Sequence, residues 1–266
     1  MDYSSGSGKI ISNMEVAPHH FRMEIEAPFD LSHASPGRFV MVRVSESNAP
    51  ILRRPFGIYN VNPERKSFAI LYRIVGEGTR LLSEMAEGVM IDVLGPLGTG
   101  FNMSVSGENP LIIAGGVGVP PLYRLAEALA GNGVKATVII GGRRDADLLS
   151  IDDFKKLGVD LRLATEDGSA GHKGYVTDIM EDMLSKGDKP SCVYSCGPSP
   201  MLKRVGEISI DSNIACQLSL EAVMACGFGV CLGCVIKTCS LENKADHDYS
   251  RVCCEGPVFD AKEVVW

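Results

Sequence analysis

The sequence lacks three features that would place it in large classes of protein. It has no excess of basic residues, since 26 Lys and Arg are outnumbered by 33 Asp and Glu and the net charge is -7. A nucleic-acid-binding face needs clustered positive charge, so we expect no nucleic-acid partner. The sequence also has no apolar run long enough to cross a bilayer, and no basic and hydrophobic leader at its start. We therefore expect no membrane segment and a cytoplasmic location.

Internal repeats are absent as well, and low complexity is confined to the first eight residues. The 266 residues exceed the usual size of one domain, so two or three domains are expected. A content of 45% hydrophobic and 22% charged residues is typical of a folded protein. Seven of the nine cysteines lie from Cys216 onward. In a reducing compartment such crowding indicates metal ligation and not a disulfide framework.

Short β segments make up the first predicted domain, residues 1–104. The turn signals Ser35-Pro36-Gly37, Asn62-Pro63 and Gly95-Pro96 separate several of them. The segments are ISNMEVA, FRMEIEAP, RFVMVRV, GIYNV, SFAILYRIV and VMIDVLGPLG. This pattern predicts a small antiparallel barrel. One helix is expected within it, from Thr79 to about Gly88, because the apolar residues there have helical spacing.

Apolar strands alternate with helices in the second predicted domain, residues 105–215. The strands are LIIAGG, KATVIIGG, DLRLATEDG and CVYSCG, and the helices are PPLYRLAEALAGNG, a stretch near 146–157, and Pro198 to about Glu207 with Ser199 as its cap. This alternation predicts a parallel, doubly wound sheet. The fold class is therefore β plus α/β. Residues 216–266, which are rich in cysteine and glycine, are expected to form a small module folded around a metal.

The cysteine spacing in this module favours an iron-sulfur cluster over zinc. Cys226, Cys231 and Cys234 give C-x4-C-x2-C, the spacing of plant-type [2Fe-2S] ferredoxins. Zinc modules usually have paired C-x2-C knuckles, which makes zinc the weaker alternative. Interleaved glycines at 227, 229 and 233 would let backbone N–H groups approach the sulfurs.

Spacing alone leaves the fourth ligand open. Cys239, Cys253 and Cys254 all follow the triplet, and spacing disfavours Cys239 only weakly. Cys192 is expected in a core strand and Cys216 on an edge or linker, and neither has a spaced partner. We interpret those two as structural cysteines, because a free cysteine usually behaves as a small buried hydrophobe.

Two motifs in the barrel region are suited to phosphate. The stretch from Leu52 to Ile58 contains Arg53 and Arg54, and a guanidinium binds phosphate with two parallel hydrogen bonds, which makes Arg54 a candidate pyrophosphate ligand. Downstream, the stretch from Tyr72 to Thr79 leads into a helix N-terminus, where Gly78 would allow close approach of an anion. Either motif alone is weak, because surface arginines are usually just solvated.

The second domain contains a candidate dinucleotide loop. Gly115, Gly116 and Gly118 follow a buried strand and open a helix, although proline at position 120 departs from G-x-G-x-x-G. Ligands of doubly wound sheets bind at the carboxyl ends of strands, and a second such end carries Cys196, Gly197 and Pro198.

The choice between NAD and NADP stays open at this point. The arginines at 143 and 144 follow the second strand and could bind a 2′-phosphate. Alternatively, they face solvent beside Asp145 and Asp147.

Seven motifs resemble, in sequence and order, the electron-transfer subunits of two-component, NAD-linked dihydroorotate dehydrogenases, within the ferredoxin-reductase-like superfamily. They are LRRPFGI, YRIVGEGTRLLS, DVLGPLGTGF, AGGVGVPPL, SCGPSPML, SLEAVMACGFGVCLGCV and VCCEGPVF. The resemblance covers nearly the whole chain. It implies FAD on the barrel, a nicotinamide nucleotide on the α/β domain and a [2Fe-2S] cluster in the C-terminal module.

The resemblance also implies which residues bind the cofactors. The family's flavin residues correspond to Arg54, Pro55, Phe56, Gly57, Leu71, Tyr72, Arg73, Gly78 and Thr79. Its cluster ligands correspond to Cys226, Cys231, Cys234 and Cys253, the last chosen by its distance from Gly256-Pro257. Two departures stand out: Gly57 replaces a serine or threonine expected near the flavin N5, and the stretch between the third and fourth ligands, CSLENKADHDYSR, is longer than usual.

The implied function is electron transfer in pyrimidine biosynthesis. A flavin-containing catalytic subunit would oxidise dihydroorotate and pass electrons through the cluster and FAD to NAD+, in a heterotetramer of two subunits of each kind. This chain shows no candidate base for dihydroorotate, which is consistent with a partner subunit. The alternatives are a reductase subunit of a related NAD(P)H transhydrogenase or sulfide dehydrogenase complex, and a non-enzymatic zinc-binding interaction module.

Overall fold

A closed antiparallel barrel forms the first part of the protein, in a computed structural model that describes residues 3–45, 49–239 and 247–266. Six strands close it in the order β1-β2-β5-β4-β3-β6. The strands are β1 (Ser4–Ala17), β2 (His20–Glu26), β3 (Phe39–Val42), β4 (Arg54–Asn62), β5 (Ser67–Arg73) and β6 (Met90–Leu97). The predicted barrel is confirmed. Its core is apolar, and Ile10, Met23 and Val42 are fully buried in it.

Two details of the barrel differ from the sequence prediction. Gly95-Pro96, expected as a turn, lies inside β6 opposite an irregularity in the β3–β6 register between Phe39 and Met41. Proline cannot donate to a strand ladder, so a register irregularity is where it is tolerated. The helix α1 (Glu77–Ser83) begins two residues before Thr79. The Thr79 hydroxyl accepts hydrogen bonds from the Val75 and Gly76 amides, which places Thr79 in the first turn.

The second part is a seven-stranded sheet in the order β10-β9-β8-β7-β11-β12-β15. Six of its strands are parallel, and β15 pairs antiparallel with β12 at one edge. The strands are β7 (Leu111–Gly115), β8 (Thr137–Gly142), β9 (Asp160–Thr165), β10 (His172–Lys173), β11 (Cys192–Cys196), β12 (Ala215–Ser219) and β15 (Val258–Asp260). The helices are α2 (Val119–Gly131), α3 (Ile151–Lys156), α4 (Val176–Ser185) and α5 (Ser199–Asp211). The predicted parallel sheet is confirmed.

Several elements of this sheet were predicted wrongly or missed. The helix expected at 146–157 is a 3-10 turn, Asp145–Asp147, followed by α3, because Ser150 adopts a left-handed φ of 60° that cannot continue a helix. No side chain caps α5, whose N-cap is Pro198, so the predicted Ser199 cap is wrong. Cys216, expected on an edge or linker, is buried in β12 between two neighbouring strands. The sequence analysis did not predict α4, β10, β12 or β15.

A two-stranded hairpin, β13 (Val235–Cys239) and β14 (His247–Arg251), follows the cysteine triplet. The long stretch noted between the third and fourth ligands runs through this hairpin, and its residues 240–246 lie outside the described part of the chain. In the described residues, no helix is long and apolar enough to cross a membrane. The predicted domain boundaries at 104/105 and 215/216 stay predictions.

Two polar contacts to Asp153 link the barrel to the sheet domain. The Tyr59 hydroxyl on β4 donates to the Asp153 carboxylate on α3 at 2.6 Å, and Arg22 on β2 lies 3.6 Å from the same carboxylate. Tyr59 also stacks on Tyr123 of α2, with ring centroids 4.5 Å apart. The two domains therefore have a fixed relative position, and the grooves between them have defined walls.

Candidate functional site

A cleft of about 360 Å³, here called the barrel cleft, opens between the barrel, the start of α2 and the chain after β12. It contains eight of the nine residues predicted to bind flavin: Arg54, Pro55, Phe56, Gly57, Leu71, Tyr72, Arg73 and Thr79. The ninth, Gly78, faces the Arg54 guanidinium, because a Cβ on Gly78 would lie 3.0 Å from Arg54 Nε. A side chain there would fill the space next to the guanidinium.

The two adjacent arginines have different surroundings. Arg53 forms an ion pair with Asp92 at 2.6 Å. Arg54 donates from Nη1 to the Leu52 carbonyl at 2.6 Å and has no ion pair within the described residues. Its charge is therefore available to an anion in the barrel cleft, and the residues present fit a diphosphate.

Gly57 lies where the barrel meets α2. A Cβ on Gly57 would lie 3.2 Å from Cδ of Pro121 and 3.6 Å from Cβ of Pro120. A serine or threonine at this position would require Pro121 to shift by a few tenths of an ångström. The glycine therefore allows the two prolines of α2 to pack against β4 at the cleft wall, which gives a packing reason for the departure noted in the sequence.

A second cleft of about 640 Å³, here called the sheet cleft, lies at the carboxyl ends of the parallel strands. Gly115, Gly116, Gly118, Gly197 and Pro198 line it, and these are five of the six residues predicted for the nucleotide. The β7–α2 loop and the end of β11 approach closely, since a Cβ on Gly118 would lie 2.3 Å from the carbonyl oxygen of Cys196. Only glycine fits at this contact.

The sixth predicted nucleotide residue, Cys196, lines the barrel cleft and not the sheet cleft. Burial, followed by the nearby charge of Glu221, raises the pKa of its thiol well above the ordinary value. Cys196 is therefore a neutral thiol at physiological pH. It lies at the barrel-cleft end of β11, next to the glycines of the sheet cleft.

Charged side chains distinguish one end of the sheet cleft. Arg143, Asp147 and Glu166 line it, whereas Arg144 is exposed and lies 3.8 Å from Asp147. Arg143 thus lies among two carboxylates here, and the cleft is also lined by the guanidinium groups of Arg73 and Arg204 and by the carboxyl group of Glu221. Arg144, the second candidate for a 2′-phosphate, does not line the cleft.

Three residues, Arg73, Val117 and Glu221, line both clefts and mark the place where they meet. The sequence analysis assigned no role to Glu221, although it lies within the motif SLEAVMACGFGVCLGCV, shortly before Cys226. Burial raises the pKa of the Glu221 carboxyl above its ordinary value. A carboxyl group therefore lies at the junction of the two clefts, two residues after β12 ends.

The cysteines of the C-terminal module are arranged in two pairs. The Cys226 thiol interacts with that of Cys231, and the Cys253 thiol interacts with that of Cys234. Within the described ranges, no three His, Cys, Asp or Glu side chains converge as a single metal ion requires. Two pairs of thiols fit a cluster of two irons with two thiolates each.

Backbone amides point at the first cysteine of the module. Burial alone would raise the pKa of the Cys226 thiol, but hydrogen bonds from the amides of Cys231, Phe228 and Val230 and from the Cys231 thiol lower it to about 6. Cys226 is therefore largely a thiolate at neutral pH, the form that binds iron. This is the amide environment that the glycine pattern predicted.

Two of the three interleaved glycines adopt left-handed backbone conformations. Gly227 has φ 81° and Gly229 has φ 89°. A Cβ on Gly229 would lie 2.5 Å from the Cys254 sulfur. The third glycine contributes differently, because Gly233 donates its N–H to the Cys231 sulfur at 3.4 Å while the positive φ falls on Leu232.

Arg251 links the loop that contains the first three cysteines to the segment that contains Cys253. Its Nη1 donates to the Gly229 carbonyl at 2.9 Å, and its Nε donates to the Glu255 carboxylate at 3.0 Å. Glu255 also accepts from the Arg251 backbone N–H at 2.7 Å. The loop with the first three cysteines is therefore fixed to the segment with Cys253.

The remaining cysteines lie elsewhere. Cys239 is exposed on β13, and its sulfur interacts with the Lys262 carbonyl at 3.3 Å. Cys192 and Cys216 are buried in the sheet, with the pKa of each thiol raised by burial. Cys254 lies next to Cys253, with 3.8 Å between the two sulfurs. Of the candidates for the fourth ligand, Cys253 is the one that contacts Cys234.

Comparison with known proteins places this arrangement in a family. Residues 221–265 match the iron-sulfur cluster binding domain of dihydroorotate dehydrogenase B, and residues 112–207 match an oxidoreductase NAD-binding domain. The electron transfer subunit of dihydroorotate dehydrogenase B (NAD(+)) from Bacillus pumilus is 40% identical over 96% of both chains. The corresponding subunit from Shouchella clausii is 39% identical over 100% of both chains.

The chain belongs to the dihydroorotate dehydrogenase B electron transfer subunits. Membership of this family accounts for the order of a flavin-binding barrel, an NAD-binding sheet and an iron-sulfur module, and its cofactors are FAD, a [2Fe-2S] cluster and NAD. The chain is an oxidoreductase subunit.

A solved structure extends the comparison beyond dihydroorotate dehydrogenases. A chain of an NADH-dependent reduced ferredoxin–NADP oxidoreductase superposes with a TM-score of 0.84 and 30% identity, over 97% of this chain and 90% of that one. A flavohemoglobin from Malassezia yamatoensis shares the fold alone, with a TM-score of 0.67 and 18% identity over 79% of this chain and 57% of that one.

Proposed function

We propose that this chain passes electrons from a dihydroorotate-oxidising catalytic subunit to NAD+ in the cytoplasm, as part of pyrimidine biosynthesis. It would assemble with its partner as a heterotetramer of two subunits of each kind. The proposal rests on one observation, which is that the three sites adjoin one another. The barrel cleft shares Arg73, Val117 and Glu221 with the sheet cleft, and its wall continues through Met224 to the cluster loop that begins at Cys226.

Each cofactor has a set of residues that would hold it. We propose that Cys226, Cys231, Cys234 and Cys253 bind the cluster. FAD would bind in the barrel cleft through Arg54, Pro55, Phe56, Gly57, Leu71, Tyr72, Arg73, Gly78 and Thr79. NAD would bind in the sheet cleft through Gly115, Gly116, Gly118, Gly197 and Pro198, with Cys196 at its inner end. When bound, the flavin supplies the exchange between two-electron hydride chemistry and the one-electron chemistry of the cluster.

The protein's own residues would orient these groups and exclude water. Arg54 would neutralise the FAD diphosphate, and the two prolines of α2 against Gly57 would close one wall of the barrel cleft. The neutral thiol of Cys196 and the carboxyl of Glu221 lie where the clefts meet. We infer that they orient the nicotinamide end of the nucleotide, because a nucleotide in the sheet cleft and a flavin in the barrel cleft would meet at this junction.

The nucleotide preference is proposed to be NAD. A 2′-phosphate entering the end of the sheet cleft lined by Asp147 and Glu166 would meet two carboxylates. Arg143 would offset this repulsion only in part, since Arg144 lies outside the cleft and Arg204, which lines it, is paired with Glu181 and Glu207. Like charges brought together in a partly desolvated cleft disfavour binding.

The partner is proposed to dock on the cluster loop. Val223, Val230 and Leu232 flank the cysteines, and their side chains are 88%, 73% and 59% exposed. Clustered exposed apolar side chains mark a protein–protein interface. A partner bound there would lie next to Cys231, which is exposed.

The test is anaerobic reconstitution with the dihydroorotate-oxidising subunit encoded by the same organism, followed by dihydroorotate-dependent reduction of NAD+ and NADP+ side by side. The expected result is NAD+ reduction that requires both subunits and is much slower with NADP+. The chain alone should reduce artificial dyes with NADH but leave dihydroorotate unoxidised. Absence of any dihydroorotate-dependent NAD+ reduction, with iron and FAD fully loaded, would refute the proposal.

A second candidate is a reductase subunit of a transhydrogenase or sulfide dehydrogenase complex. The likeness to the NADH-dependent ferredoxin–NADP oxidoreductase favours it. Affinity purification from native cells separates the two candidates, since each predicts a different flavoprotein partner. The zinc-binding alternative predicts a colourless protein with zinc.

A further inference from the structure

A small cavity of about 190 Å³ lies between the barrel and the C-terminal module. Cys253, Cys254 and Phe228 line it from the module, and Arg38 and Thr99 line it from the barrel. Arg38 therefore lines the same small space as the proposed fourth cluster ligand. No motif in the sequence pointed to Arg38.

Arg38 is fixed in place by its backbone. Its N–H donates to the Ser35 carbonyl at 3.2 Å, and its carbonyl accepts from the Ile58 N–H at 3.1 Å. Its side chain is held through Nη1, which donates to the His33 carbonyl at 3.1 Å. The charge of Arg38 thus has little freedom to move away from the cavity.

One donor of this side chain is left without a partner. Arg38 Nε is buried and forms no hydrogen bond with any described residue. A buried donor without a partner is costly, and a charged donor more so. An uncompensated guanidinium charge beside a cavity lined by cysteine sulfur fits an anionic group at that place, as a cluster with thiolate ligands would be.

The other charges around the cavity leave Arg38 uncompensated. Arg251, the arginine of the C-terminal module, is paired with Glu255. Arg38 has no carboxylate within ion-pair distance in the part of the chain that the structure describes. The net charge that the barrel presents to this cavity is therefore positive.

We propose that Arg38 sets the reduction potential of the iron-sulfur cluster. This inference rests on the proposed function, because it requires the cluster at Cys226, Cys231, Cys234 and Cys253. Reduction adds one electron to the cluster, with no proton transferred and no bond broken. A fixed positive charge near the cluster stabilises the reduced form more than the oxidised form.

The proposed effect favours electron transfer from the partner subunit into the cluster. A higher potential makes the cluster a better acceptor of electrons from the partner subunit. Arg38 is a positioning residue in this sense, since it acts through the cluster and touches neither nucleotide nor dihydroorotate. The effect should be local, because Arg38 is absent from the lining of both the barrel cleft and the sheet cleft.

The test uses three variants of the reconstituted, fully loaded complex: Arg38→Gln, Arg38→Lys and the control Arg65→Gln. Arg65 is an exposed barrel arginine, 3.9 Å from Glu24. The cluster midpoint is measured by redox titration followed by EPR, and the FAD midpoint by absorbance in the same sample. Arg38→Gln should lower the equilibrium constant for cluster reduction roughly tenfold, which is about 59 mV for one electron. Arg38→Lys should retain most of the potential, and the FAD midpoint should not change.

Three results would overturn the inference. A cluster midpoint in Arg38→Gln equal to that of wild type and Arg65→Gln would mean that the charge does not act on the cluster. An equal shift of the cluster and FAD midpoints would mean a general structural change. Loss of the cluster with FAD retained would make Arg38 a requirement for assembly and not for the potential. A wild-type protein without iron would instead refute the proposed function itself.

Discussion

The Thr99 backbone N–H donates to the Gly256 carbonyl at 2.5 Å, and the Thr99 hydroxyl donates to the Cys254 carbonyl at 3.2 Å. Thr99 follows β6 of the barrel, and Cys254 and Gly256 follow Cys253 in the C-terminal module. Two hydrogen bonds therefore fix the second half of the cysteine site to the barrel wall. Cys253 is thus held at a defined place relative to both the barrel and Cys234.

Cys253→Ser should lose the cluster, whereas Cys254→Ser should retain it. Cys253 is buried and its thiol contacts that of Cys234, while Cys254 is only partly buried and its sulfur lies beside Gly229. The measurement is iron content with the EPR signal of the reduced protein. Cys239→Ser is the matched control, because Cys239 is exposed and bonded to the Lys262 carbonyl. The reverse pattern in the first two variants would assign the ligand to Cys254.

Arg251→Gln should loosen the cluster loop. It would remove the hydrogen bond to the Gly229 carbonyl and the ion pair with Glu255. Charge-assisted hydrogen bonds of this kind are stronger than neutral ones, although solvent exposure weakens them. We expect cluster loss in the presence of an iron chelator to be several times faster than in wild type. Arg204→Gln breaks an exposed ion pair with Glu181 and serves as the control; equal rates in the two variants would contradict the role of Arg251.

Arg54→Gln should weaken FAD binding and leave the cluster intact. The loss of a bidentate contact to phosphate costs about 2–3 kcal/mol, which corresponds to roughly 30- to 150-fold in Kd. Flavin fluorescence titration of the apoprotein gives this ratio, with iron content as the internal check. Arg65→Gln should bind FAD as wild type does. An unchanged Kd in Arg54→Gln would remove Arg54 from the flavin site.

Tyr59 and Asp153 should be energetically coupled. A double-mutant cycle of Tyr59→Phe and Asp153→Asn, followed by urea unfolding at pH 7, should give a coupling energy of about 1–3 kcal/mol. Burial alone would raise the pKa of Asp153, but hydrogen bonds from Tyr59 and Lys156 and the charge of Arg22 lower it below its ordinary value of 3.8. The stabilisation is therefore present above that value and is lost as the pH falls through the lower folded pKa. A coupling energy near zero at pH 7 would show that the contact does not stabilise the interface.

Val230→Asp should weaken binding to the catalytic subunit. The valine is 73% exposed beside the cluster loop, and a carboxylate there would be desolvated on docking. We expect a fall in affinity of at least tenfold by analytical ultracentrifugation, with NADH-dependent dye reduction unchanged. Met14→Asp on β1 is the control, since Met14 is also exposed and lies on the barrel. Normal complex formation by Val230→Asp would place the interface elsewhere.

The features that the sequence predicted well depend on local patterns. The six barrel strands alternate with turn residues, and the cysteine spacing marks the iron-sulfur loop without any tertiary information. The helix α4 was missed although Val176, Met180 and Met183 carry the helical spacing that could have revealed it. The three-residue strand β15 carries no comparable signal, because its pairing with β12 joins segments about 40 residues apart in the chain.

The site was less predictable where separate segments meet. Arg38 has ordinary sequence surroundings and Glu221 lies in a motif noted for its cysteines, and the positions of both depend on how the C-terminal module packs against the barrel. Cys196 was predicted at the nucleotide but lines the barrel cleft, because the end of β11 passes between the two clefts. The replacement of a serine or threonine by Gly57 could be seen in the sequence, but its packing against Pro121 could not.

The pairing of β15 with β12 means that the C-terminal segment cannot be separated from the sheet of the second domain without breaking that sheet. Residues 258–260, after the last cysteine, complete the same sheet whose other strands carry the nucleotide loops. A fragment cut from the chain at 216 would keep every cluster ligand but would lose β11, the neighbour that β12 needs on its other side. The iron-sulfur segment is therefore not an independent domain that could be fused to another reductase. A working fusion would also have to include β11, because β12 pairs with it.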